Sequence, residues 1–387
     1  MGARLAAAAA LILGLWVPAG AASSSRVMVD ERVELLGVVQ YLASERPEKI
    51  PNPAYADAVE RRFGSLRGHA AVRLYRQAAR RPAGEGLGIL MLYFSAPPAL
   101  KPARPGLRLP YLDAEADKEI AHRFLWELRD FAAVSDASGF FREQRAFYRA
   151  IERAAARELG GLDPAAAIER YLRVELETRN HYVLSPLYKA GALNSFILPY
   201  PDPVTLLERP KAPLEVYTLL AWVPAKAERS GARYPVFDAP SAVLWQEPLY
   251  VYIDPSFHHY EARYIPDPEK FYGEAAGCRE RAVNCLKSAA VAALVDRLSR
   301  RAWGTSFLPY EKNTELGLAA EAIAKRLEEY EAGSSTLWAF SPRLFSVFAE
   351  RARPSAPAPA LEAPGSPIRS TSDFFDRRWR RDYGAAH

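Results

Sequence analysis

Apolar residues recur along most of this chain at the three- and four-residue spacing of a helix, and only short runs depart from it. Residues i, i+3, i+4 and i+7 share one helix face, so each such stripe must be buried against another element. Leu35, Val38, Val39 and Leu42 fit this template in full. Ile120, Phe124, Leu128 and Phe131 keep to one face, and Phe140, Phe147, Ile151 and Ala154 predict a further helix. Asp163-Pro164 reads as a helix start ahead of Ile168, Tyr171 and Leu172, with Asp as N-cap and Pro at the first helical position. Val291, Leu294, Val295 and Leu298 predict a strongly amphipathic helix with Asn284 as candidate N-cap. Leu316, Ala320, Ile323, Leu327 and Tyr330 predict another.

Strand signals are few. Leu214 to Val223 is aromatic and β-branched and lies between Pro213 and Pro224. Leu249 to Ile253 is a second candidate, stopped by Asp254-Pro255, and Ile89 to Phe94 fits helix or strand. Pro97, Pro98, Pro102, Pro105 and Pro110 require an irregular connection. Many helices with few strands predict an α+β fold, mostly helical, with a small β-sheet.

The two ends read as separate pieces. Residues 1–21 have the form of a signal peptide. Arg4 supplies the positive start, Leu5 to Val17 an apolar run too short for a comfortable span, and Ala19-Gly20-Ala21 a small-residue cleavage pattern. An uncleaved anchor is the alternative. The first reading makes the protein exported, periplasmic or extracellular, with residues 22–27 as a linker around Ser23-Ser24-Ser25. No later run is long and apolar enough to predict a transmembrane span in the mature chain. Near the other end, residues 351–371 form a Pro/Ala-rich linker. In the 372–387 segment, Phe375, Trp379 and Tyr383 fall on one helical face. This amphipathic segment reads either as a tether docking to a partner or membrane surface, or as a tail that folds back on the body.

Charge and rare residues narrow the function. Lys and Arg number 51 against 46 Asp and Glu, and a net charge of +5 gives no support to nucleic-acid binding. With two cysteines and six histidines, neither a disulfide scaffold nor a four-cysteine zinc site is within reach. Nucleotide-binding glycine motifs, a G-x-S-x-G elbow and an H-E-x-x-H zinc helix are all absent from the sequence. The densest polar site is Asp254 to Glu261. If Asp254 caps a helix, His258 and Glu261 share a face, with His259 beside them. These two or three groups, with His181 brought in by the fold, are the weak metal candidates; a catalytic zinc needs three protein ligands. The bland reading is a helix cap with backbone hydrogen bonds. His69 and His122 sit in helical patterns and read as packed or half-exposed histidines. Cys278 and Cys285 would lie too far apart for a disulfide within one helix, and within reach if Cys278 is in a loop. Export favours the bridge.

Read in order, several segments resemble the DUF4932 family of bacterial exported proteins. They are Val29 to Leu36, Asn52 with Tyr55, Arg62-Phe63 with His69 to Val72, and Gly86-Leu87-Gly88 with the apolar run after it. Phe140-Phe141 with Phe147-Tyr148, then Val283-Asn284 and Tyr310-Glu311-Lys312, continue the series over a domain of residues 28–350. The resemblance implies a zincin-like metallopeptidase scaffold, because many members carry an H-E-F-x-H helix and a downstream glutamate and look like gluzincin-type zinc peptidases. Here those positions depart. In one register the motif falls on Pro255, Ser256 and His259, in another on Val251, Tyr252 and Pro255, and the downstream glutamate falls on Cys285. The resemblance therefore implies the scaffold without its catalytic centre: a degenerate, non-catalytic domain with no cofactor that binds a peptide or protein partner. The alternative is an active metal-dependent hydrolase with a rearranged site around His258, His259 and Glu261.

Overall fold

The computed structural model describes residues 24–44, 53–80, 82–102, 115–174, 178–187, 195–198, 214–220, 244–246, 248–250, 252–253, 257, 282–306 and 314–352. The first strand, β1, spans Ser24–Val29. Eight helices follow: α1 (Glu31–Ala43), α2 (Pro53–Phe63), α3 (Ala70–Ala78), α4 (Pro82–Leu92), α5 (Glu115–Val134), α6 (Ala137–Glu143), α7 (Arg145–Leu159) and α8 (Pro164–Leu172). Strands β2 (Thr178–Leu184), β3 (Ser195–Leu198) and β4 (Leu214–Leu220) come next, then α9 (Ala282–Trp303), α10 (Glu315–Ala332) and α11 (Leu337–Ala352). The fold is mostly helical α+β, as expected. No helix among the described residues is long and apolar enough to cross a membrane.

One sheet of four strands has the order β1-β2-β4-β3. β1, β2 and β4 run parallel and β3 runs antiparallel to β4. The expected linker at residues 22–27 is corrected here, because Ser24 to Val27 belong to β1. What makes this serine-led stretch a strand is its partner: Ser24 to Val29 pair in register with Arg179 to Leu184. The outer edge of β1 is closed by carboxylates. Asp163 accepts from the Ser25 amide at 3.1 Å and its hydroxyl at 2.7 Å, and Glu152 accepts from the Val29 amide at 2.9 Å. An open edge presents unpaired amides that invite another strand, and these side chains satisfy those of Ser25 and Val29. Asp163 also caps α8 through the Ala166 amide, as its place before Pro164 predicted.

Buried side chains form two clusters. The first joins α1 to α7 with the inner ends of the sheet strands, around Leu35, Phe63, Phe124, Phe140 and Tyr182. The second joins α8 to α11 with Trp245, Leu249, Tyr252, Ile253 and Phe257, around Trp245, Tyr252, Leu294 and Phe345. Trp303 packs against both. The stripe on α1 is buried throughout, with Leu35, Val38, Val39 and Leu42 all at 0% exposure.

Three expectations change. Leu249 to Ile253 is not a strand: its described residues are helical, and Leu249, Tyr252 and Ile253 are buried. The run is apolar on both sides because helices surround it, a pattern that periodicity alone cannot assign. The single helix expected from Phe140 to Ala154 is two, α6 and α7, parted at Gln144. The amphipathic helix expected around Val291 is buried nearly all round, with Leu286, Ala289 to Val295, Leu298 and Ser299 closed to solvent. Its alanines let α10 and α11 approach closely. It starts at Ala282, so Asn284 lies in the first turn and is not the N-cap.

Candidate functional site

The two faces of the sheet differ in chemistry. Thr178, Asn180, Tyr182, Val216 and Thr218 alternate onto one face and are buried. There the Thr178 hydroxyl meets the Tyr252 hydroxyl at 2.6 Å and accepts from Asn180 Nδ2 at 2.8 Å. The other face carries Arg26 on β1, Arg179 and His181 on β2, and Glu215 and Tyr217 on β4, brought side by side by the register. Glu215 hydrogen-bonds His181 Nε2 and accepts from Arg179 Nη1 at 3.3 Å. The His181 ring stacks on Tyr217 at 4.5 Å and 20°. Its Nδ1 is shielded from water and has no hydrogen-bond partner. The imidazole is thus held by a carboxylate at one nitrogen and a ring beneath, with the second nitrogen unspent.

The opposite, carboxyl end of the parallel strands leads into a second polar cluster. Asp30 follows β1, caps α1 through the Arg32 amide at 2.9 Å, and pairs with the Arg32 guanidinium at 2.6 Å. Arg32 Nη1 donates to the carbonyls of Leu92 and Phe94, each at 2.9 Å, and so ties α1 to the end of α4. One turn into the helix, Glu34 is fully buried, and both its oxygens are met by hydroxyls. The Tyr55 hydroxyl donates to one oxygen, and the Ser185 hydroxyl donates to the other at 2.5 Å. Tyr55 and Tyr148 join through their hydroxyls at 2.9 Å. Burial pushes the Glu34 carboxyl up to about 7, against the pull of its two hydroxyl donors. Burial and the nearby carboxylate also hold the Tyr55 and Tyr148 hydroxyls well above their ordinary range, so both stay protonated donors. A buried cluster of this kind can store a proton.

Of the expected site residues, His181 alone among the metal candidates lies in the described structure, on β2. His258, His259, Glu261 and Cys278 lie outside the described residues. So do residues 1–21, residues 353–371 of the expected 351–371 linker and the 372–387 segment, while Arg351 and Ala352 end α11 and are not linker. Cys285 falls in the first turn of α9. His69 is the N-cap of α3 and not a residue within it: its Nδ1 accepts from the Ala71 amide at 3.1 Å, and its Nε2 meets Asp130 at 3.1 Å. His122 is exposed on α5. Among the described residues, no group of three or more His, Cys, Asp or Glu side chains is placed to hold a metal ion. Sequence reasoning misses Glu215 and Glu34. A glutamate within a β-branched run is the available signal for Glu215, and a glutamate within the apolar stripe of α1 for Glu34. No family model, curated protein or solved structure matches the chain.

Proposed function

We propose that this is an exported protein that binds a peptide or protein partner without cleaving it, on a degenerate scaffold like that of the DUF4932 metallopeptidases. The ordered segments that resemble that family, the signal-like residues 1–21 and the absence of the H-E-x-x-H pattern support the reading. The observation that carries it is His181: its Nε2 is tied to Glu215 and its ring lies on Tyr217, so this histidine is built into the sheet as a fixed part of a surface. The 372–387 segment then serves as a docking element for the partner or a membrane surface. Metal analysis of the purified chain tests the reading, and stoichiometric zinc that survives dialysis overturns it.

A second reading, an active metal-dependent hydrolase around His258, His259 and Glu261, draws on the same pair. A carboxylate on one imidazole nitrogen is the usual support for a metal at the other, and His181 Nδ1 is unspent. In that case His259→Ala should abolish zinc retention and any peptidase activity; unchanged activity removes this reading.

A further inference from the structure

The polar face of the sheet carries more cationic donors than acceptors near the start of its strands. Arg26 stands opposite His181 in the register and Arg179 opposite Ser24, so the two guanidiniums rise on the same face as diagonal neighbours. Diagonal partners on one face lie within reach of long side chains. Arg26 is exposed, and among the described residues no hydrogen bond or ion pair holds it. Arg179 is 57% exposed and engages Glu215 through Nη1. Glu215 is shared between Arg179 and His181. Counting guanidiniums and carboxylates alone, Arg26 and Arg179 against Glu215 leave one positive charge uncompensated.

We propose that Arg26 and Arg179 clamp the carboxylate of a bound peptide, with His181 as a positioning residue between them. The peptide as partner rests on the proposed function; the carboxylate rests on this face. Planar guanidinium forks match a carboxylate's two oxygens and lose little freedom on binding it. A monoanion neutralises the single excess charge, whereas a dianion such as phosphate overshoots it beside Glu215. Glu215 holds the imidazole at Nε2 and the Tyr217 ring stacks on it, which fixes the imidazole beside both arginines.

The test follows the His181 imidazole by nitrogen NMR in the purified chain, with the resonance assigned through His181→Asn. N-acetylglycine, its uncharged amide and inorganic phosphate are titrated in parallel at constant ionic strength. N-acetylglycine should shift the resonance and saturate, the amide should leave it in place, and phosphate should bind more weakly. Arg26→Gln and Arg179→Gln, both changes at exposed positions, should each weaken N-acetylglycine binding about tenfold, the scale of one charge-assisted hydrogen bond. The proposal is overturned if the amide acts like the acid, if phosphate binds tighter, or if both variants titrate like the wild type. Zinc content measured on the same sample reports on the proposed function separately. Bound zinc with intact N-acetylglycine binding would sink that reading and leave the clamp standing.

Discussion

Replacing Glu34 by Gln removes a buried charge while keeping the shape of the side chain. The carboxyl titrates at about 7 in the fold against an ordinary value of 4.5. A carboxyl raised on folding favours the native state while it is protonated. Its contribution is whole below the unfolded value and is lost as pH rises through the folded value. Full loss corresponds to about 3 kcal/mol, since each pH unit between the two values is worth about 1.4 kcal/mol. Between about pH 5 and about pH 8 the linkage relation gives a fall of about 2–3 kcal/mol in wild-type stability from this group. A glutamine does not titrate, so Glu34→Gln should lack that component. The new side-chain carbonyl can still accept from Tyr55, and its amide can donate to Ser185 if the hydroxyl turns to accept. The assay is urea unfolding at both pH values, with the two proteins compared by the change in free energy. Taking the difference cancels histidines and other carboxylates that titrate in both. The variant should gain about 2–3 kcal/mol on the wild type in going from the lower to the higher pH. Parallel pH profiles would refute the argument that Glu34 is charged, buried and uncompensated above neutrality.

Two other predictions concern the ends of the described domain. Asp163→Ala removes both the cap of α8 and the clamp on β1, and should cost about 2–3 kcal/mol by urea unfolding. Asp163→Asn keeps an acceptor for Ala166 but not a second one for the Ser25 amide, and should cost about 1 kcal/mol; equal losses for the two would contradict the double role. Deleting residues 353–387 should release the protein from its partner or membrane surface in fractionated cells while leaving its thermal unfolding unchanged, and unaltered fractionation would exclude docking through the 372–387 segment.

Helices with one-sided stripes are legible because their signal is local. The spacing of Leu35 to Leu42, the Asp163-Pro164 start and the Leu316 to Tyr330 face each sit within one stretch of chain, and each lies in a helix of the fold. The run from Leu214 is legible for the same reason, since β-branched and aromatic residues favour a pleated surface. Where burial surrounds an element, periodicity fades. Leu249, Tyr252 and Ile253 and most of the Val291 helix are buried, so the first run resembles a strand in sequence and the second a two-faced helix.

What the sequence determined by itself was the secondary-structure class, the Asp163-Pro164 helix start and the absence of a zinc helix motif. Tertiary structure decided the rest. Ser24 to Val29 becomes a strand because β2 and the carboxylates of Glu152 and Asp163 complete its hydrogen bonds. His181 finds Glu215 and Arg26 through the parallel register of strands distant in the chain. Glu34 acquires its raised proton affinity from the apolar enclosure formed by α1, α2, α7 and the end of β2. Desolvation and strand register are properties of neighbours in space, and no spacing along the chain encodes them directly.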